Sequence, residues 1–71
     1  MKEMSKFSEN LIRLRKEKGL TQQGLAYYLD ITQQCISEWE MGKIEPTMSN
    51  LIRLADCFDV SIDFLVGRKE Y

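Results

Sequence analysis

Apolar residues recur at helical spacing within residues 21–42 and divide that segment into two short helices. The apolar positions are Leu25, Ala26, Leu29, Ile36 and Trp39. Their spacing gives each helix one apolar face. Residues 30–32 interrupt the pattern, and Thr21 and Thr32 stand where a hydroxyl can accept hydrogen bonds from the first turn of each helix. The segment is therefore predicted to fold as two helices joined by a tight turn.

The sizes of a few residues predict how these two helices cross. Ala26 is small and lies where two steeply crossing helices approach most closely, and Ile31 can fill the space between them from the turn. Gly42 suits the C-terminal end of the second helix. Tyr27 and Tyr28 lie on the outer side of the first helix, where we expect only partial packing. This arrangement describes a helix-turn-helix.

The second helix, predicted over 33–41, directs a polar face away from the apolar residues. The outward residues are Gln33, Gln34, Ser37, Glu38 and Met41. A glutamine amide donates and accepts at once, which matches the major-groove edge of adenine. A carboxylate at Glu38 could accept from the amino group of cytosine, or it could repel phosphates. We expect Gln33, Gln34, Ser37 and Glu38 to contact bases; the alternative is a solvated polar face.

Apolar stripes outside this segment predict three more helices, and a capping residue precedes each. The first helix is expected to begin at Ser8, to bury Phe7, Leu11 and Leu14, to leave Ile12 exposed, and to end near 18 before Gly19. The fourth helix is expected to run from Thr47 to about 58, and the fifth, capped by Ser61, over 62–66. We predict an all-α, compact five-helix bundle that spans 7–67, with flexible ends at 1–6 and 68–71.

The charge distribution changes this picture only locally. The chain of 71 residues is long enough for one domain, and its net charge is −1. Residues 1–20 carry six basic and three acidic side chains, whereas residues 54–67 carry three aspartates and no basic residue. Phosphate binding needs local positive charge. We therefore expect a polar molecule with one end suited to phosphates; ordinary solubilising charge is the alternative.

The residue inventory argues against an enzyme. The sequence has no histidine, no glycine-rich phosphate loop and only two cysteines, Cys35 and Cys57, so we expect neither a metal nor a cofactor. Two cysteines do not make a disulfide framework and favour a reduced, cytoplasmic setting. Cys35 could be a redox switch, but a small filler or a contact to a thymine methyl group is favoured. No apolar run could span a membrane, and no domain for a small-molecule ligand fits this length.

Three stretches carry a family resemblance. They are LRKEKGLTQQGLAYYLDIT, QQCISEWEMGKIEPT and LADCFDVSIDFLVG. The sequence resembles the Cro/repressor-type (xenobiotic-response-element-like) helix-turn-helix family of bacterial and phage transcriptional regulators, which have the lambda-repressor-like DNA-binding fold. The resemblance implies sequence-specific binding of double-stranded DNA with 33–41 as the recognition helix in the major groove. It also implies a repressor that binds an inverted-repeat operator as a homodimer.

The same resemblance implies roles for residues outside the recognition face. An arginine at the end of the first helix pairs with a glutamate in the recognition helix, which implies a structural ion pair between Arg15 and Glu40. Phosphate contacts are implied for Thr21, Gln22, Thr32, Lys43 and Thr47. The last helix helps to form the dimer in similar proteins, which implies an interface at Phe64 and Val66.

Three departures from the family pattern support a second hypothesis. Gly24 replaces a long polar residue and should cost about 1 kcal/mol relative to alanine. Asp30 replaces a glycine in the turn, where a positive φ and some strain are expected. Glu38 places a negative charge on the recognition face. Together with the acidic C-terminal part, Glu38 favours as the alternative a protein-binding module, antitoxin-like or anti-repressor, with little affinity for DNA.

Overall fold

The structure, a computed structural model, describes residues 6–68, and these residues form five α-helices without a β-strand. The helices are α1 (Lys6–Glu17), α2 (Gln22–Leu29), α3 (Gln33–Glu40), α4 (Met48–Phe58) and α5 (Ile62–Leu65). The predicted all-α class and the number of helices are confirmed. Residue 6 begins α1 instead of belonging to a loose end, and residues 1–5 and 69–71 of the predicted flexible ends lie outside the described residues.

Each helix contributes one fully buried aliphatic side chain to a single core. These five residues are Leu11, Leu25, Ile36, Leu54 and Leu65. Phe7, Leu14, Leu29, Trp39, Ala55 and Phe58 surround them, and Ala26 is buried where α2 packs on α3. Helix α1 contacts both α3 and α5, and α4 contacts α5. The core therefore packs against one side of α3, and the other side of α3 is open to solvent.

The start of α1 differs from the prediction. Ser8 does not cap this helix, because α1 begins two residues earlier at Lys6. The Ser8 side chain is buried, and its hydroxyl donates to the carbonyl oxygen of Trp39 at 2.6 Å. Ile12 is half-buried, so its predicted exposure was wrong. A buried hydroxyl beside Phe7 thus joins α1 to the end of α3, and the spacing of apolar residues alone could not distinguish this role from a cap.

The other predicted caps are present. The hydroxyls of Thr21, Thr32, Thr47 and Ser61 accept from backbone N–H groups three residues later, at 2.9, 3.2, 3.3 and 3.0 Å. At the opposite ends, a residue with positive φ follows the last residue of each helix within two positions. These residues are Gly19, Asp30, Gly42, Asp59 and Gly67. After each one, the next N–H donates to the carbonyl five residues earlier, which closes the helix end.

No helix among residues 6–68 combines the length and the apolar character that crossing a membrane requires. Cys35 and Cys57 are both half-buried and free. The described part of the chain measures 30 × 27 × 22 Å along its principal axes.

Candidate nucleic-acid interface

The outer face of α3 is polar, and its inner face is locked into the core. Ile36 and Trp39 point inward and are buried. On the opposite side Gln33 and Gln34 are exposed, and one turn later Ser37 and Glu38 are half-buried. The four residues predicted to contact bases therefore share one side of a short helix. Met41, which caps the C-terminal end of α3, extends this side as an exposed apolar residue.

A buried ion pair holds the back of α3. Arg15 Nε donates to Glu40 Oε2 at 2.6 Å, and Arg15 Nη2 donates to Glu40 Oε1 at 3.1 Å. The exposed fractions of the two side chains are 11% and 5%. Arg15 Nη1 also donates to the carbonyl of Leu20 at 2.8 Å. The hydrogen bond to Glu40 raises the pKa of Arg15 above its ordinary value, while burial opposes the rise, so the guanidinium stays charged.

This ion pair determines the orientation of two glutamine amides. A carboxylate can only accept, so Gln22 must turn its Nε2 toward Glu40, and it donates to Glu40 Oε1 at 2.9 Å. The Gln22 Oε1 then faces α3 and accepts from Gln33 Nε2 at 2.8 Å. The Gln33 amide is left with its carbonyl oxygen and one N–H, which are the acceptor and donor that adenine pairs with in the major groove.

Gln34 is oriented by a separate partner on its own helix. Its Nε2 donates to Glu38 Oε2 at 3.4 Å across one helical turn. The same chemical rule applies, because a carboxylate cannot donate and the amide must present its N–H side to it. Two neighbouring glutamines in the sequence are therefore held in different ways, one from α2 and one from the next turn of α3.

The predicted phosphate-contacting residues differ in how accessible they are. Thr21, Thr32 and Thr47 are exposed caps at the beginnings of α2, α3 and α4, and Lys43 is exposed just after α3. Gln22 is half-buried, and its amide bonds to both Glu40 and Gln33. The structure therefore gives Gln22 a positioning contact within the protein in addition to any phosphate contact.

Several arginines are occupied by contacts within the protein. Arg15 is paired with Glu40, and Arg53 donates to the carbonyl of Leu29 and to Asn50 Oδ1. The Arg13 guanidinium lies 5.9 Å from the centroid of the Phe64 ring. Within the basic N-terminal part, Glu40 neutralises Arg15, and Arg13 lies 3.9 Å from Glu17 in an exposed pair. Among residues 6–68, Lys43 is the cation that directly follows the recognition helix.

Of the two residues predicted at a dimer interface, Val66 lines a groove and Phe64 does not. Phe64 is half-buried against the core and Val66 lines a groove of about 250 Å³ together with Phe7, Pro46 and Leu51. Asn10 Nδ2 fixes this end by donating to the carbonyls of Phe64 and Leu65 at 3.0 and 3.2 Å. Both predicted residues are therefore partly accessible, at the end of the bundle where Asn10 bonds to α5.

Two sequence departures have local explanations. A Cβ atom at Gly24 would lie 3.3 Å from Thr21 Oγ1 and 3.6 Å from Leu20 Cδ2, so the missing side chain leaves room for the capping hydroxyl. Asp30 has φ of 59°, in the left-handed region expected for a residue in place of glycine, and Asp59 repeats this geometry with φ of 57° at the end of α4. Because a Cβ at position 24 would crowd Thr21 Oγ1, the free-energy cost of glycine relative to alanine is reduced there.

Tyr27 and Tyr28 differ from the expectation of partial packing. Their exposed fractions are 89% and 67%, which leaves two aromatic rings on the outer side of α2. Cys57 is half-buried beside Lys18, and burial raises the pKa of its thiol while the lysine charge opposes the rise. Cys35 lies in the first turn of α3 between the exposed glutamines and the core.

The side chains that donate hydrogen bonds to the last carbonyls of other helices were not predicted from the sequence. Ser8, Asn10 and Arg53 each donate to carbonyls at the C-terminal end of another helix. The last carbonyls of a helix have no partner within it, so such donors satisfy groups that would otherwise need water. The available signal was a polar residue next to a buried apolar stripe, but that signal does not identify which helix end receives the bond.

The Helix-turn-helix family model matches residues 11–65, which include four whole helices and most of α1. This chain belongs to the helix-turn-helix family. The HTH-type transcriptional regulator YqaE of Bacillus subtilis is 45% identical over 60 residues, which make up 84% of this chain and 52% of YqaE. The transcriptional repressor RstR of the cryptic phage CTXphi from Vibrio cholerae is 38% identical over 89% of this chain and 56% of its own length.

The structural comparison agrees with the sequence comparison. The crystal structure of a transcriptional regulator from Listeria innocua superimposes with a TM-score of 0.81 at 43% identity. The superposition covers 86% of this chain and 57% of that regulator. This helix-turn-helix chain spans about half the length of the curated relatives it matches. The predicted family and fold are confirmed.

Proposed function

We propose that this chain binds double-stranded DNA sequence-specifically and represses transcription, with α3 lying in the major groove. The observation that carries the proposal is the exposed amide of Gln33, held by Gln22 and, through Glu40, by the buried charge of Arg15. An oriented amide discriminates between base edges because it presents its donor and acceptor in a fixed order, and its affinity gains because less conformational entropy is lost on binding. The relatives named as transcriptional regulators and as a phage repressor support the same function.

The proposed base contacts come from Gln33, Gln34, Ser37 and Glu38. Thr21, Thr32 and Thr47 stand at helix N-termini, where backbone N–H groups and the helix dipole favour phosphate oxygens. Lys43 adds one full positive charge beside α3. Phosphate contacts of this kind fix the register of a protein on DNA, while the amide and carboxylate groups discriminate sequence.

We further propose that the active form is a homodimer on an inverted repeat. Half-sites one helical turn apart have centres about 34 Å apart. Each protomer is 22–30 Å across, a size compatible with that separation, and the proposed contact between protomers is the end that carries Phe64 and Val66. A cytoplasmic location is part of this proposal, since the DNA partner is there.

The test is a selection of bound sequences from a random duplex pool, followed by titration of the recovered site. We expect an inverted repeat and a dissociation constant that is weaker for scrambled duplexes by at least about a thousandfold. A Gln33→Ala variant should relax the preference at one base pair of each half-site by about 1–3 kcal/mol. The proposal fails if no duplex is retained at low ionic strength by protein whose helical circular dichroism is intact.

A protein-binding module is the second candidate, and one observation favours it. Tyr27 and Tyr28 are highly exposed on α2, and large exposed aromatic residues are enriched in protein interfaces. The two candidates differ in salt dependence. DNA binding through phosphates weakens with rising salt, with a logarithmic slope of about −0.9 for each phosphate contact. Complete lack of binding to random DNA at low salt would favour the protein-binding candidate.

A further inference from the structure

Glu38 and Gln34 form a pair on the recognition face that differs in chemistry from Gln33. Their side chains lie one helical turn apart, and Gln34 Nε2 donates to Glu38 Oε2 at 3.4 Å. Gln34 is exposed and Glu38 is half-buried. One N–H of the Gln34 amide is therefore directed along the helix toward Glu38 Oε2, and the carboxylate has further lone pairs that can accept from another donor.

We propose that Glu38, positioned by Gln34, selects cytosine and rejects bases that present a keto oxygen at the same place. The inference rests on the proposed DNA-binding function. Adenine presents its N6 donor beside the N7 acceptor, so a carboxylate fits its edge less well than that of cytosine. In the major groove cytosine presents its N4 amino group as a donor, whereas thymine presents O4 and guanine presents O6 and N7 as acceptors. A carboxylate can pair with the edge of cytosine and with neither that of thymine nor that of guanine.

The selection acts mainly by exclusion. A carboxylate that enters a groove between two phosphate backbones loses water, and an unpaired buried charge is costly. Glu38 therefore weakens binding to most sequences and allows close approach only where an amino group restores its hydrogen bond. Specificity obtained by penalising the wrong partner is a general strategy of recognition surfaces.

This mechanism has a signature that a simple attractive contact lacks. Removal of the charge in Glu38→Gln should strengthen binding to random DNA and, at the same time, reduce discrimination between cytosine and thymine. A glutamine amide can present either its oxygen or its N–H groups, so it pairs with N4 of cytosine or O4 of thymine. An attractive contact without the exclusion effect would, when removed, lose affinity for sites that carry cytosine and would not strengthen binding to random DNA.

The experiment begins with the full chain and a random duplex pool, from which the bound site is determined for the native protein and for Glu38→Gln. The base pair whose preference changes is then synthesised with cytosine, 5-methylcytosine or thymine. For the native protein we expect cytosine and 5-methylcytosine to bind within about threefold of each other, and thymine to bind at least about tenfold more weakly. The methylated base separates the effect of the amino group from that of the added methyl group.

The matched control is Glu9→Gln, which removes the same charge at an exposed position on α1. It should keep the tenfold difference between cytosine and thymine, whereas Glu38→Gln should reduce it below about threefold. Unchanged preferences at every base pair in Glu38→Gln, with a site still recovered by the native protein, would overturn this inference and leave DNA binding intact. Recovery of no site by the native protein would remove the proposed function and the inference together.

Discussion

Glu40 is a nearly buried carboxylate at the back of a helix whose front is open to solvent. Its two oxygens accept from Arg15 and Gln22, so each lone pair that faces the protein has a donor. Among residues 6–68 no buried side-chain nitrogen or oxygen lacks a hydrogen-bond partner. The charge of Arg15 and the position of α3 are thus determined by the same few atoms.

Glu40→Gln should therefore destabilise the protein strongly. The variant leaves the Arg15 charge buried without a counter-charge, and breaking a buried pair costs about 3–5 kcal/mol. We expect a loss near the lower limit, because the Leu20 carbonyl still accepts from Arg15. In a domain of this size such a loss lowers the melting temperature by more than about 10 °C.

Thermal unfolding followed by circular dichroism measures this effect. Glu45→Gln is the control, since the exposed side chain should change stability by no more than about 0.5 kcal/mol. Equal melting temperatures for the two variants would show that the Arg15–Glu40 pair behaves as a surface ion pair.

Gln22 offers a residue-level test between two roles. Loss of a phosphate contact weakens binding about equally on all sequences, whereas loss of a positioning contact weakens discrimination at one base. Because Gln22 holds the Gln33 amide at 2.8 Å, we expect Gln22→Ala to reduce the preference at the base contacted by Gln33. Titration of duplexes that differ only at that base pair measures the change, and a uniform loss across all duplexes would assign Gln22 to phosphate contact instead.

At the level of helices, the turn between α2 and α3 depends on a left-handed aspartate. A left-handed conformation costs an ordinary L-residue roughly 1–2 kcal/mol, although aspartate tolerates it better than most. Asp30→Gly should therefore stabilise the protein by up to about 1 kcal/mol, and Asp59→Gly should do the same at the end of α4.

Urea unfolding of both glycine variants tests this expectation, and Asp30→Ala provides the contrasting case. Alanine has a Cβ and no side-chain oxygen to assist the turn, so it should lower the free energy of unfolding by about 1 kcal/mol. A destabilising effect of glycine at both positions would mean that the aspartate carboxylates stabilise these turns more than backbone strain destabilises them.

The helices were largely predictable because their signals are local. Apolar spacing, Thr21, Thr32, Thr47 and Ser61 located the elements to within one or two residues at most ends. Contacts between helices were harder. A serine at position 8 is typical of a helix cap, yet Ser8 is a buried donor to α3. Only the packing of α1 against α3 distinguishes these two roles. The outward placement of the glutamines followed from periodicity, whereas the orientation of their amides depends on Glu40 and Glu38.

For the whole molecule, the net charge of −1 limits how DNA can be bound. Glu40 neutralises the charge of Arg15 at the back of α3, whereas Lys43 is exposed directly after α3. We expect Lys43 to be a main contributor to the salt dependence. Lys43→Ala should reduce the magnitude of the logarithmic salt slope by about 0.9 for each protomer, and should weaken all sequences alike.

Binding isotherms at several salt concentrations give this slope directly. Lys18→Ala is a suitable control. The substitution removes the same charge, and Lys18 lies beside Cys57 of α4. If both variants change the slope equally, the charge acts through the general field of the molecule. If neither changes it, Lys43 makes no phosphate contact.

The left-handed stops at the ends of all five helices have a consequence for folding speed. Each stop is closed by a hydrogen bond to the preceding turn, so the end of every helix is encoded locally, while helices this short gain their stability from packing together. Helical domains with such local contacts fold in microseconds to milliseconds. Folding on that timescale is fast compared with synthesis of the chain, which proceeds at about 5–20 residues per second.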